Sequence, residues 1–329
     1  MATVYREADA HPDLLTERTI AIVGFGNQGR AQALNLRDSG AKVIVGNIDD
    51  NYRAQAIEDG FEVFSIAEAV EAADVVMLLL PDEIAPEVYT RDIASHLRAG
   101  DAISFASGYN VHYEHIVCPE DVDVVLLAPR MIGRGVRDLY LSGDGFFSFV
   151  GVHQDASGGA RDVMLALASG IGTLRKGAVD VSFQVETELD LFNEQGFGPA
   201  FGRVLLTSID TLIKAGYPKE AVLLEFYLSG EMSYIFQAMA EMGLIEQLDA
   251  HSQTSQYGAI SRGMRFLGIN LKRPMRKILD NIRRGKFARE WNFEQRTGKV
   301  RFRLLRALAK RQPIGKIEKE VRKELGIGA

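Results

Sequence analysis

Apolar residues gather in short runs along the first half of the chain, and each run ends at a breaker. Thr19 to Val23 stops at Gly24, Lys42 to Val45 at Gly46, Asp74 to Leu80 at Pro81, Ala102 to Ala106 before Gly108, and Val122 to Ala128 at Pro129. Runs of this length, rich in β-branched residues and bounded by Gly or Pro, read as strands buried on both faces. Between the first two, Ala31, Ala33 and Leu34 recur at helical spacing as far as Gly40, which makes a strand–turn–helix–strand unit. Continued alternation predicts a doubly wound parallel sheet whose ligands lie at the carboxyl ends of the strands, here Pro81-Asp82-Glu83, Ser107-Gly108-Tyr109-Asn110 and Pro129-Arg130-Met131. From about Val181 the pattern changes to long helical periodicity. The expected fold is therefore α/β: a Rossmann domain over 1–180, followed by an all-helical domain over 181–329.

Composition narrows the class. With 329 residues, 47% hydrophobic and 25% charged, the chain has the make-up of a soluble protein with room for two cores. Its longest apolar run, Val75 to Leu80, is far short of a membrane span, and the charged start has no apolar segment, so a cytoplasmic protein without a membrane partner is expected. A single cysteine, Cys118, excludes an internal disulfide and a cysteine-cluster metal site. Arg262 to Glu324 carries 21 Lys/Arg against 6 Asp/Glu, within a chain whose net charge is −6. That asymmetry fits a nucleic-acid surface, solvated helix faces or a tail packed on an acidic partner. No DNA- or RNA-reading module accompanies it, which disfavours nucleic acid.

Two stretches carry chemistry. In Gly24-Phe25-Gly26-Asn27-Gln28-Gly29, Gly24 permits the tight turn, Gly26 lets the backbone approach a pyrophosphate, and Gly29 lets helix and strand pack closely, with the diphosphate over the helix N-terminus. An acidic residue about 20 positions past such glycines bonds the adenosine ribose, whereas an arginine accommodates a 2′-phosphate. Asp49 and Asp50 at the end of the second strand predict NAD ahead of NADP; Arg53 could swing toward a phosphate, and both aspartates could instead cap the next helix. The second stretch runs from Glu186 to Gln195. Asp190 and Glu194 fall one turn apart on a helix, and two carboxylates so placed repel unless a cation such as Mg²⁺ or Mn²⁺ lies between them; the alternative is a solvated acidic face.

In that setting GFGNQGRAQALNLRDSG resembles the cofactor loop of ketol-acid reductoisomerases, as do LLLPDEIAPEVY, GDAISFASGYNVHY, ETELDLFNEQ, YGAISRG and GKFAREW in the same order. The resemblance implies a Rossmann domain joined to a helical domain that forms homodimers or larger assemblies. It further implies two Mg²⁺ ions holding a small 2-hydroxy-3-keto acid during alkyl migration, and reduction by NAD(P)H. By the same resemblance, Asp190 and Glu194 are metal ligands, Glu231 with Glu225 supplies carboxylates from a second helix, Ser252 contacts substrate, and Leu80, Pro81 and Ser107 border the cofactor.

The departures fall in the same place. Ser107 stands where the family has histidine, Arg130 where it has lysine, and Met131-Ile132-Gly133-Arg134 where it has Gly-Pro-Gly. Glu225 and Glu231 are six residues apart instead of four, which on a regular helix leaves them roughly 120° apart. Either a bulge at Ser229-Gly230 restores convergence, or Tyr227 takes the lost ligand's place. With Asp190, Glu194, Arg130 and Ser107 as the expected catalytic set, the pattern is that of a remodelled member acting on a different hydroxy-keto acid. True acetolactate isomeroreduction is the alternative, and a nucleotide-sensing nucleic-acid-binding protein is the reading from another class.

Overall fold

The computed structural model describes residues 2–327, and its contacts divide the chain into one unit ending at Asp190 and another starting at Leu191. The first unit is built on a nine-stranded sheet. Its strands are β1 (Val4–Tyr5), β2 (Thr19–Val23), β3 (Lys42–Gly46), β4 (Glu62–Phe64), β5 (Val75–Leu78), β6 (Ala102–Phe105), β7 (Asp123–Pro129), β8 (Phe147–Gln154) and β9 (Gly177–Asp180). They lie in the order β1-β9-β8-β7-β6-β5-β2-β3-β4. β2 to β7 are all parallel; β8 runs antiparallel to β7, β9 parallel to β8, and β1 antiparallel to β9. From β2 the chain first winds outward to β3 and β4, then returns to place β5 on the other side of β2. The crevice at that reversal opens beside the glycine loop.

Burial on both faces explains why these strands read as unbroken apolar runs. Ile20, Ile22, Val45, Met77, Val125 and Leu127 belong to one apolar cluster, which also takes in Leu36 of helix α1 (Asn27–Asp38) and Met164 and Leu167 of the helix Ala160–Gly170. Ala21, Val23, Val76, Leu78 and Ile103 belong to a second cluster, with Ile66, Val70 and Ile93. Each such Ile or Leu contributes about 1.5–3 kcal/mol over an exposed one.

The second unit contains no strand among the described residues. Its longer helices are Gly198–Lys214, Glu231–Met242, Gln253–Gly263, Lys272–Arg283, Lys286–Arg296, Val300–Lys310 and Pro313–Glu324. One small buried cluster there has Ile209, Val222, Leu223 and Val321 at its centre, whereas Val204, Tyr234, Ile260, Phe266, Leu267 and Ile269 are exposed. Among the described residues, no helix is long and apolar enough to cross a membrane.

Candidate active site

The glycine loop leaves β2 at Gly24, whose φ of +94° suits glycine and where a Cβ would come within 2.7 Å of Leu80 Cδ2. At Gly29 a Cβ would overlap the Gly24 carbonyl oxygen, so only glycine lets α1 start this close to the strand. Gly26 faces open space and is the N-cap position of α1; no side chain caps that end and no acidic residue lies in its first turn. Its free N–H groups and positive dipole end are what a diphosphate requires. A cleft of ≈ 700 Å³ runs past the loop, lined by Gly24, Phe25, Gly26, Asn27 and Gln28 and by Asn47, Ile48, Asp50, Leu80, Pro81 and Ser107. A second, charged cleft of ≈ 760 Å³, with His11, Glu17, Arg18, Asp74, Arg98 and Asp101, opens at the amino ends of the strands, away from the loop.

At the end of β3 the structure separates the two aspartates. Buried Asn47 accepts the Phe25 N–H at 3.1 Å and donates to Asp50 Oδ1 at 2.8 Å. Asp50 caps helix α2 (Asn51–Glu58), its Oδ1 accepting from the Tyr52 and Arg53 N–H groups at 2.9 and 3.1 Å. Asp49 is exposed beside it. The Arg53 guanidinium is engaged by backbone, donating to the carbonyls of Asn47, Phe64 and Val63 at 3.1, 3.0 and 3.3 Å.

At the carboxyl ends of β6 and β7 the structure assembles a charged cluster. Arg130 follows β7 and stacks its guanidinium over Phe149, 4.9 Å from the ring centroid. Nη1 donates to Asp190 Oδ1 at 3.0 Å, Nη2 to Glu186 Oε1 at 2.9 Å, and Nε to the Ala128 carbonyl at 3.3 Å. Glu186 is only 1% exposed, and its second oxygen accepts the Gly108 N–H at 2.7 Å, which ties the cluster to the loop carrying Ser107. Burial pushes the Glu186 carboxyl above the usual range, against the opposing pull of the Gly108 N–H and the Arg130 charge. Ser107 Oγ accepts the Tyr109 N–H at 3.3 Å. The Met131–Arg134 loop is pinned to the cofactor loop: Gln28 Nε2 donates to the Met131 carbonyl at 2.8 Å, and Gly133 packs against the Asn27 backbone. Glu186 was absent from the expected site, although it precedes Asp190 by one helical turn and so shares its face.

The structure treats the remaining expected ligands differently. Asp190 lies in the helix Phe183–Phe192, and Glu194 in the π-helical turn Asn193–Phe197 that follows, so the regular helical pitch assumed between them changes at Asn193. Glu225 is exposed in a second π-helical turn, Leu224–Leu228; Gly230, at φ +83°, then ends that segment, and Glu231 starts a new helix. In place of the bulge expected at Ser229-Gly230 there is a π-helical turn ahead of it and a break at Gly230. Tyr227, one candidate for the lost ligand, donates its hydroxyl to Glu318. Ser252 caps the helix Gln253–Gly263, accepting the Ser255 N–H. Among the described residues, no group of three or more His, Cys, Asp or Glu is gathered as a metal site.

A doubly wound sheet with an uncapped glycine-loop helix at its switch point, and a charged cluster at the neighbouring strand ends, is the architecture of a dinucleotide-binding protein. Comparison with known proteins specifies it. Residues 14–177 match the acetohydroxy acid isomeroreductase NADPH-binding domain, and residues 183–326 the ketol-acid reductoisomerase C-terminal domain. The chain is 42% identical over 330 residues to a ketol-acid reductoisomerase (NADP(+)) of Methanopyrus kandleri, covering 99% of each chain. It is 43% identical over 321 residues to a putative ketol-acid reductoisomerase 3 of Saccharolobus solfataricus, covering 96% of each. A solved NADH-preferring ketol-acid reductoisomerase from an uncultured archean superposes with a TM-score of 0.91 at 34% identity, covering 98% of each chain. The chain belongs to the ketol-acid reductoisomerase family, and it is an oxidoreductase that acts on a hydroxy or keto acid with NAD(P)H. The basic stretch 262–324 thus falls in the helical domain of an enzyme, and nothing supports the nucleic-acid reading.

Proposed function

We propose that the chain is an NADH-preferring, Mg²⁺-assisted enzyme that reduces a 2-hydroxy-3-keto acid other than 2-acetolactate, with or without alkyl migration. The observation that carries this reading is the junction of Arg130, Glu186 and Asp190 one residue from Ser107, next to the cofactor cleft. A guanidinium stays charged at any working pH, so Arg130 orients the substrate and balances negative charge without shuttling a proton. The Ser107 hydroxyl offers a hydrogen bond where the resemblance implies a titrating histidine. Both changes act on the same strand ends and alter what fits there, which supports a different substrate.

NADH supplies the hydride, and in this reading residues up to about 180 hold it. The preference rests on the β3 loop. Arg53 is engaged by three carbonyls, Asp50 is fixed at the edge of the cleft by its cap, and Asp49 adds a second carboxylate, so a 2′-phosphate beside this loop meets like charge. The named relatives divide between NADP(+) and NADH, and in this reading the loop after β3 carries the choice.

Asp190 and Glu194 are the carboxylates we assign to Mg²⁺, with Glu231 and Glu225 as further candidates; a hard cation held by one or two carboxylates, with waters and substrate oxygens, fits such donors. Held by these carboxylates, Mg²⁺ would supply polarisation of substrate oxygens. The region 181–329 contributes these ligands, Ser252 for substrate, and a surface for a second copy of the chain. The assembled enzyme works in the cytoplasm, where its one cysteine stays reduced.

The test is a panel of 2-hydroxy-3-keto acids, 2-acetolactate included, assayed with NADH and NADPH, with and without Mg²⁺. Turnover of another panel member, faster with NADH and lost on chelation, is expected. Ordinary turnover of 2-acetolactate overturns the substrate assignment; full activity in excess chelator overturns the metal.

A further inference from the structure

We infer that Arg130 is a resident cation that competes with a divalent metal ion for Asp190, so that this arginine sets the metal affinity of the site. The inference rests on the assignment of Asp190 to metal made above. Its basis is a division of labour across one guanidinium. Nη2 is committed to Glu186, which is 1% exposed and held from its other oxygen by the Gly108 N–H. Nε is held by the Ala128 carbonyl and the plane lies over Phe149. Only Nη1 reaches Asp190, whose side chain is 46% exposed and is the one partner that a solvated ion can approach.

The charges reinforce the geometry. Within this trio one guanidinium against two carboxylates leaves a single negative charge, so an ion at Asp190 finds less charge there than a free carboxylate pair would offer. An ion arriving at Asp190 meets a positive charge held at contact distance from that carboxylate, a repulsion that water at the half-exposed Asp190 moderates but does not remove. The fork of the guanidinium lets Nη1 release Asp190 while Nη2 keeps Glu186, so binding exchanges one counter-ion for another without dismantling the cluster. A lysine ammonium, as a compact point charge, cannot span both carboxylates in this way and would leave Asp190 more available.

Binding of Mn²⁺ alone, followed by electron paramagnetic resonance on the full chain without substrate, tests the inference. Wild type, Arg130→Lys, Arg130→Gln and Asp190→Asn are compared, with thermal midpoints as the check on folding. Arg130→Gln should tighten Mn²⁺ by at least about tenfold, Arg130→Lys should fall between it and wild type, and Asp190→Asn should lose the ion. Equal affinity in wild type and Arg130→Gln overturns the competition. Should Arg130→Gln fail to fold, because Glu186 is left buried without its counter-ion, Arg130→Lys against wild type decides: tighter binding supports the inference and equal binding overturns it. Mn²⁺ bound by none of the proteins, or equally by Asp190→Asn, removes the metal assignment of Asp190 and the competition with it.

Discussion

Asp49, Asp50 and Arg53 sit within five residues of one another, yet substitution should separate them cleanly. Asp50 Oδ1 receives two backbone N–H groups and the Asn47 amide, so Asp50→Ala removes a helix cap and should cost about 1 kcal/mol of stability, read as a lower thermal midpoint. Arg53→Ala should also lower the midpoint, since it removes a donor from the carbonyls of Asn47, Val63 and Phe64, the last of which keeps the Asn47 N–H, but should leave the NADH to NADPH ratio unchanged. A fall in NADPH use alone would show that Arg53 reaches the phosphate after all. Asp49 is exposed and outside the cap, so Asp49→Asn should barely affect stability while raising kcat/KM for NADPH by about tenfold, through loss of like-charge repulsion. Steady-state kinetics with both cofactors on one substrate checks this, and an unmoved ratio would place the discrimination elsewhere.

At the level of elements, the start of α1 is the least tolerant feature of the cofactor site. A methyl group at Gly29 would overlap the Gly24 carbonyl oxygen, which belongs to backbone and cannot rotate away, so α1 would have to move off β2. Gly29→Ala should therefore weaken NADH binding by more than about tenfold and lower the melting temperature together, measured by cofactor fluorescence and calorimetry. Unchanged binding would show that the helix start has slack. This element was legible from spacing because glycine and apolar positions carry the whole signal, and the same holds for β2, β3, β5, β6 and β7, which are buried on both faces. β4 has three residues, β1 has two, and β8 is exposed at intervals along its length, so none left an unbroken apolar run. The Arg130 cluster was half legible: Asp190 and Arg130 stood out, but the bridge through Glu186 to Gly108 spans 78 residues of chain and depends on tertiary packing. Likewise, local spacing left the geometry between Glu225 and Glu231 open; the π-helical turn and Gly230 decide it, and the Tyr227 partner lies 91 residues away.

Over the whole molecule, stability and assembly follow from how the two units bury their surfaces. In the first unit, burial holds His112 and His115 below the ordinary histidine value of about 6.5. Between the folded and unfolded values the unfolded chain binds protons that the fold does not, so this contribution is present above the ordinary value and is lost as pH falls toward the folded one. The thermal midpoint should drop on acidification from about pH 7 to 5, and His115→Asn should make that drop shallower; an identical slope would remove His115 from the account. The second unit presents the opposite problem. It has a small buried cluster around Ile209, Val222, Leu223 and Val321, yet exposes Tyr234, Ile260, Phe266 and Leu267 among many other large apolar side chains. Large contiguous apolar patches are rare on monomers, so exposure on this scale motivates the expectation of a covering surface. The occupant we assign is a second copy of the chain, because helices from both copies can bury the same kind of surface reciprocally. Sedimentation at micromolar concentration should accordingly give at least twice the mass of one chain. Introducing charge by Phe266→Glu together with Leu267→Lys should dissociate the assembly and abolish turnover, while NADH binding by the glycine loop persists. A single-chain mass for fully active wild type would show that the exposed helices need no partner.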